Sequence, residues 1–466
     1  MNCIFENNTT GNGGTGGDDY GNTGGIGGHG SAMYIKSATA DIKDCNCIDN
    51  TTGNGGAGGM TDNMRGGTGG YGGFGTLYTS NSTLTCSGTI ISGNLTGQGG
   101  KGGRGYHSYG TGGHGGQGGL GAGIYALGSD CNVKIWDVEI AGNVTGDGGV
   151  SGDAWGSGSH GRGGKGGFGA GIYTRCNAVM DLVNVGVRYN TTGNGGDSDD
   201  INYGYGGTGG HGGGIYVADA NLCLTNVTIS GNKTGDVGQG LTETTGGGGA
   251  GIFDNLTTGV TSLVNCTITG NQTSMDSANG GGILASDGDM TVSNSILWGN
   301  SDSSGTDESA QLYVKTTAPV VNYSCIQGLN TFAGNGNIGS DPLFVNPDGT
   351  LSENLRLDFG SPCLDAGNNT LVPADTLDVD DDTNTTERTP LDRNGHKRFK
   401  DDLSAANTGV DDLPDYPYIV DMGAFERGAC GDTDYPISIG DLNGDCIVNI
   451  EDLGIMFTVW LKVTGP

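Results

Sequence analysis

One stretch of sequence recurs about seven times in this chain, and a fixed-period repeat permits few folds. Each copy runs from Gly-Ile-Tyr through a short apolar alternation to Gly-Asn-x-Thr. A glycine-rich excursion then leads into the next Gly-Ile-Tyr. The clearest copies span Gly123-Ile124-Tyr125 to Gly142-Asn143-Val144-Thr145, Gly171-Ile172-Tyr173 to Asn190-Thr191-Thr192, and Gly214-Ile215-Tyr216 to Gly231-Asn232-Lys233-Thr234. An anchoring Asn recurs at Asn7, Asn50, Asn94, Asn143, Asn190, Asn232, Asn271 and Asn300. A unit too small to bury its own apolar face must stack on its neighbours, so the expectation is a solenoid.

Within a copy the apolar residues alternate: Val133, Ile135, Val138 and Ile140 form one set, Leu222, Leu224, Val227 and Ile229 another. Period-two alternation of β-branched residues in short runs indicates half-buried strands. Without its excursion a copy holds roughly 22 to 27 residues, about one rung of a right-handed parallel β-helix. The excursions leave at a constant phase, so they should emerge together on one face. Asn-x-Thr is also the N-glycosylation sequon. Its recurrence in phase with the rungs favours a structural ladder, with each Asn at a corner in the left-handed region, bonded to the Asn above and below.

Glycine accounts for 100 of 466 residues and dominates the excursions as Gly-Gly-x triplets, as in Gly112-Gly113-His114-Gly115-Gly116-Gln117-Gly118-Gly119-Leu120. Such sequence ordinarily makes flexible linker. Period three and side-by-side repetition favour instead extended three-fold helices, packed closely and bridged by backbone hydrogen bonds. Fifty-one Asp and Glu against 20 Lys and Arg disfavour nucleic acid and anionic membrane as partners, since both need basic surface. No apolar stretch reaches the length of a membrane span. The balance suits an extracellular or cell-surface protein in calcium-containing medium. No signal peptide precedes the first rung, where Met1 to Asn7 already lie, so a fragment, a processed start or an open first rung is expected. The cysteines Cys86, Cys131, Cys176, Cys223 and Cys266 come once per rung and read as small buried residues. Cys45 and Cys47 share a strand face, and neighbours in adjacent rungs could join in an oxidising setting. His29, His114, His160 and His211 fall in excursions and read as solvated polar residues rather than a metal stripe.

From about Ser295 the triplets vanish. Asn337 to Phe344, Leu355-Arg356-Leu357, Gly360 to Gly367, Asp392-Arg393-Asn394-Gly395 and Val420 to Glu426 follow in order. This succession resembles the closing region of bacterial surface β-helix proteins of the choice-of-anchor Q family. The resemblance implies export and display rather than a reaction. It divides the chain into β-helix repeats at 1–300, a closing region at 301–428 and a terminal module at 429–466. The acidic run Asp375 to Glu387 reads as a solvated loop in which Asp378, Asp380 and Asp382 could hold calcium.

The terminal module carries the one binding motif. Asp441, Asn443, Asp445, Asn449 and Asp452 place oxygen side chains at loop positions 1, 3, 5, 9 and 12, and Ile447 offers its carbonyl at position 7. That spacing suits calcium, a hard cation taking six to eight oxygens. With the helix after it, the motif resembles one repeat of a dockerin, which implies a cohesin-like partner. Cys446 replaces the usual glycine at position 6, and a full dockerin has two repeats where one is evident here. Upstream, Cys430 to Asp434 could be a degenerate remnant, with Cys430 able to pair with Cys446. The sequence thus points to a secreted structural or adhesive protein with calcium-dependent docking on a cohesin-like domain or a neighbouring subunit, and to self-assembly end to end. Tyrosines in the excursions, Tyr106, Tyr109, Tyr203 and Tyr205, are candidates to stack on sugars. The alternative is a polysaccharide lyase or glycosidase, but no Asp or Glu recurs at one phase on consecutive rungs, as clustered catalytic carboxylates would require.

Overall fold

The computed structural model describes residues 2–428, 440, 442 and 450–463, apart from 19–20, 63–64, 107–109, 156–158, 177–178, 242–244, 257–258, 276–277, 288, 347–354, 403–404 and 412; beyond 457 it describes the backbone only. The chain forms a three-sided parallel β-helix. The first sheet has nine strands, from Ile4–Glu6 to Cys325–Ile326; the second has eight, from Met33–Lys36 to Leu312–Val314; the third has eight, from Thr39–Lys43 to Val320–Asn322. Every neighbouring pair of strands is parallel and in register: Ile172 lies beside Ile124 on one side and Ile215 on the other. One more set of strands follows Asn300, in Leu312–Val314, Val320–Asn322 and Cys325–Ile326, because its Leu312, Val321 and Ile326 are needed to cover the core beneath.

The alternation read from sequence is the packing. Leu222 and Leu224 point inward and are buried, with Asn221 and Cys223, which alternate with them, half-exposed. Ile124, Ile172, Ile215, Ile252 and Ile283 line one interior column, and Ile140, Val187, Ile229 and Ile268 line another. Full burial of such a side chain contributes roughly 1.5–3 kcal/mol. Most of the cysteines belong to this core, with Cys86, Cys131, Cys176 and Cys266 wholly buried as thiols.

The Asn ladder exists, and it begins one residue later than expected. Asn8, not Asn7, donates from Nδ2 to Asn50 Oδ1 at 2.8 Å. Asn50, Asn94, Asn143, Asn190, Asn232 and Asn271 each pass the same bond to the next, and Asn300 passes it to Gln311 Oε1. The left-handed corner is the residue before each ladder Asn: Asn7, Asp49, Gly93, Gly142, Tyr189, Gly231, Gly270 and Gly299 all have φ between 54° and 70° or within a degree or two of it (Asp49 at 53°). Glycine predominates there because it bears no Cβ penalty at positive φ. The ladder Asn residues from Asn50 to Asn300 are 0% exposed, which leaves the sequons at Asn50 to Asn271 no accessible acceptor in the folded chain.

Excursions leave between the first and second sheets and pack into a glycine lobe. Each runs out and back as two arms. In a triplet the first glycine N–H donates to the same arm of the next rung, as Gly55 does to the Gln98 carbonyl at 2.8 Å. The second donates to an adjoining arm, as Gly56 does to Gly25 and Gly70 to Gly56, both at 2.8 Å. A Cβ on Gly56 or Gly70 would fall within 2.0 Å of a neighbouring carbonyl oxygen, so only glycine permits the approach. Third positions follow on the outer side, and several of their N–H groups are taken by side chains of the preceding rung: Gln98 donates to Asn54 Oδ1, Asn194 to Asp147 Oδ1, Phe74 to His29 Nδ1 and Arg162 to His114 Nδ1. His29, His114 and His211 therefore serve as backbone acceptors rather than solvated groups, and burial lowers the pKa of His211 to about 4. The Thr of Asn-x-Thr locks the neck of each arm pair. Thr52 Oγ1 donates to the Gly73 carbonyl at 2.8 Å and accepts from Gly97 N–H at 3.0 Å. Beneath the lobe, Tyr34, Tyr78, Tyr125, Tyr173, Tyr216 and Phe253 stack at 4.6–5.2 Å between ring centroids, and Phe74 and Phe168 from the returning arms close over them.

At the first rung the core opens into a cavity of about 510 Å³ lined by Cys3, Phe5, Met33, Ala40 and Ile42. The other end is covered. Helix α1 (Glu308–Gln311), capped by Asp307, delivers Gln311 to the ladder, and Leu329 and Phe332 pack on the final core residues. Residues 361–427 then fold back along the corner between the third and first sheets. Asn294, Asn265 and Asn226, stacked at that corner, donate to the carbonyls of Asn368, Asp421 and Leu391 respectively. The segment expected to finish the solenoid thus flanks it.

Candidate metal centre

Of the expected calcium loop, Asp441, Asn443, Asp445, Ile447 and Asn449 lie outside the described residues, as do Cys430 and Cys446. Asp452, the twelfth position, is described. It sits in the first turn of helix α2 (Ile450–Val463), is 2% exposed and accepts from the Leu442 N–H through Oδ1 at 2.6 Å. Ile450, Leu453, Met456 and Phe457 stand exposed on this helix, spaced as one apolar stripe.

The second expected position is more developed. In the acidic run, one carboxylate oxygen each from Asp375, Asp380 and Glu387 lie within 4.8 Å of one another, and so do those of Asp378, Asp380 and Asp382. Asp380 belongs to both groups, so five carboxylates converge. The turn is built by its own backbone: Asp378 and Asp381 take positive φ of 53° and 58°, Asp375 accepts from Val379 N–H at 2.9 Å, and Asp378 accepts from Thr383 N–H at 2.9 Å. The reading of this run as solvated holds only for its rim, since Asp375 is 2% exposed. Asp380 Oδ1 and Glu387 Oε1 are buried without a hydrogen-bond partner. Burial raises the pKa of Asp375, and burial with the Asp382, Asp380 and Asp375 carboxylates raises that of Glu387. Converging anionic oxygens with unused lone pairs fit a hard divalent cation.

A third group of charges was not legible in sequence. Arg398 is wholly buried; it donates to Glu426 Oε2 at 3.2 Å, to Asn226 Oδ1 at 2.7 Å and to the Ala424 carbonyl at 2.8 Å. Asp421 accepts from the N–H groups of Asp365 and Arg427, both at 2.8 Å, and burial pushes its pKa up to about 8. Asp392 Oδ2 accepts from Glu426 N–H at 2.9 Å. These acids bind backbone of their own segment and clamp it to the solenoid, so their role is structural. Glu139 on the first sheet adds a tie, lying 2.6 Å from Arg188 and 3.0 Å from Arg393.

Compared with protein-family models, with curated proteins and with solved structures, the chain matches none of them. Among the described residues no helix is long and apolar enough to cross a membrane.

Proposed function

We propose that this chain is a secreted or cell-surface structural and adhesive β-helix protein with a calcium-dependent C-terminal docking module. The observation that carries the reading is the glycine lobe. Its backbone is hydrogen-bonded in several directions, so the outward third positions become fixed rows of side chains on one flank of a rigid rod. Such a surface suits display and multivalent contact. Calcium is proposed at two places: the loop from Asp441 to Asp452, and the cluster of Asp375, Asp378, Asp380, Asp382 and Glu387. The exposed stripe on α2 is then the face offered to a cohesin-like domain or to a neighbouring subunit. Binding is favoured over turnover because no Asp or Glu recurs at one phase on consecutive rungs, as clustered catalytic carboxylates would require.

The test is calorimetric titration of calcium into the chelator-treated full chain, with Asp380→Asn and Asp452→Ala variants. Two classes of site are expected, with dissociation constants on the order of 10⁻⁴–10⁻³ M as in extracellular modules. Each variant should remove one class. Absence of calcium heat at millimolar concentration, with an unchanged melting profile, would refute the calcium reading.

A further inference from the structure

The outer end of the glycine lobe differs from the rest of it. Here three successive excursions bring aromatic and charged residues together. The Arg104 guanidinium lies 4.9 Å from the Tyr106 ring and 5.1 Å from the Trp155 ring, whose centroids are 6.4 Å apart. Beside them Asp153 is paired with Arg104 at 3.8 Å and with Lys101 at 3.9 Å, and Lys101 reaches Asp199 on the next rung at 3.8 Å. His160 faces Asp200 at 3.8 Å and stacks on Tyr203 at 6.3 Å. Large apolar surface remains in water: Trp155 is 50% exposed, Tyr106 39% and Tyr203 72%.

Packing does not explain this exposure. The aromatic residues that serve packing lie at the base of the lobe, where Tyr125, Tyr173 and Tyr216 are all less than 10% exposed. At the tip the rings stand apart from any core, each held by a cation or a neighbouring ring. Exposed aromatic platforms beside fixed donors and acceptors mark binding surfaces rather than stability. Donors and acceptors lie side by side across the three excursions (Lys101 on the first, Asp153 and His160 on the second, Asp199 and Asp200 on the third), which suits a ligand rich in hydroxyls with flat C–H faces.

Charge narrows the ligand further. The tip carries Lys101 and Arg104 against Asp153, Asp199 and Asp200, so opposite charges are interleaved in it, and burial with the adjacent Asp153 raises the Asp199 pKa to about 6. The chain as a whole bears −31, a field that repels polyanions.

Resting on the adhesive reading above, we propose that the lobe tip formed by Tyr106, Trp155, Asp153, Asp199 and Tyr203 is the glycan-binding site, and that its ligand is an uncharged pyranose oligosaccharide. The rings stack on sugar faces, and the fixed carboxylates, Lys101 and His160 bond the hydroxyls.

The experiment is titration calorimetry of the full chain with cellohexaose, mannohexaose and chitohexaose, and with polygalacturonate as the anionic probe. The comparison set is Trp155→Ala, Tyr203→Ala, and Tyr313→Ala at the far end of the solenoid as a control. At least one neutral hexasaccharide should bind, without products of cleavage, and Trp155→Ala should weaken it more than tenfold while the control leaves it unchanged. Quenching of Trp155 emission by the sugar, lost in the variant, gives a second readout. Unchanged affinity in Trp155→Ala would overturn the tip site and leave an adhesive role elsewhere on the lobe standing. Binding of polygalacturonate alone would overturn the ligand class. No binding to any of the four sugars, with calcium-dependent capture of a cohesin or of a second copy intact, would overturn the glycan proposal but not the docking reading.

Discussion

Gly164 tests the lobe's packing at a single atom. Its N–H donates to the Gly149 carbonyl and its carbonyl accepts from Gly196 N–H, both at 2.8 Å. A Cβ built there would lie 1.8 Å from the Gly116 oxygen, 2.6 Å from its carbonyl carbon and 2.9 Å from Gly149 N. All three are backbone atoms of arms pinned by their own hydrogen bonds, so no side chain can swing away. In Gly164→Ala the arms must part. Losing two or three buried hydrogen bonds at about 1 kcal/mol each and displacing packed backbone at about 1–3 kcal/mol give a cost of roughly 3–6 kcal/mol. The lower entropy of the unfolded alanine chain offsets about 0.4–1 kcal/mol of this. Lys165→Ala, at the outward position of the same triplet, should cost no more than about 0.5 kcal/mol. Urea unfolding of both variants, followed by circular dichroism and by limited proteolysis of the lobe, supplies the comparison. If Gly164→Ala and Lys165→Ala agree within about 0.5 kcal/mol, the excursions are loose linker and the lobe as described does not exist.

Asn190→Ala should be as damaging, by about 3 kcal/mol or more. It removes bonds to Asn232 Oδ1 and the Ile140 carbonyl and strands the Asn143 amide donors in a dry corner; a loss under about 1 kcal/mol in the same unfolding assay would show that the ladder is ornamental. Stability should also fall as pH rises from 5 to 8. Asp421 keeps its proton in the folded chain up to about pH 8 while the unfolded carboxyl loses it near 4, so the folded state binds more protons and the slope is negative, about 1.4 kcal/mol per pH unit for that group. Asp421→Asn should flatten the fall by that amount in melts run across the range, and an unaltered slope would mean that the carboxyl is already ionised in place.

Fold and site were unequally legible. Period-two runs such as Val133, Ile135, Val138 and Ile140 exposed the strands because each interior column must be apolar on every rung. The Asn ladder showed itself for the same reason: a stacked bond must recur in phase. Its first member was misplaced because Asn7 and Asn8 are adjacent and identical, and only the corner geometry assigns one to φ 56° and the other to the ladder. Thr52 and its equivalents looked like half of a sequon, since their carbonyl partner lies across an excursion, some 20 residues on. The burial of His211 and the stack under the lobe depend on where the returning arm lands, which no local pattern states. The clamp at Arg398 joins residues more than 170 positions apart in sequence. The acidic run was visible as a charge cluster, but the convergence of Asp375 with Glu387 requires the turn between them. The lobe-tip rings were visible only as scattered tyrosines and one tryptophan; their meeting follows from excursions of matched length on adjacent rungs.

Everything proposed for the lobe requires its arms to be fixed, and amide hydrogen exchange read by mass spectrometry on the native chain measures this directly. Peptides covering 97–105 and 112–120 should exchange with the strands Asn132–Trp136 and Val179–Val183, roughly a thousandfold slower than an unstructured glycine-rich chain. Exchange of those peptides at the unstructured rate, with the strands still protected, would contradict the packed lobe and with it the display surface.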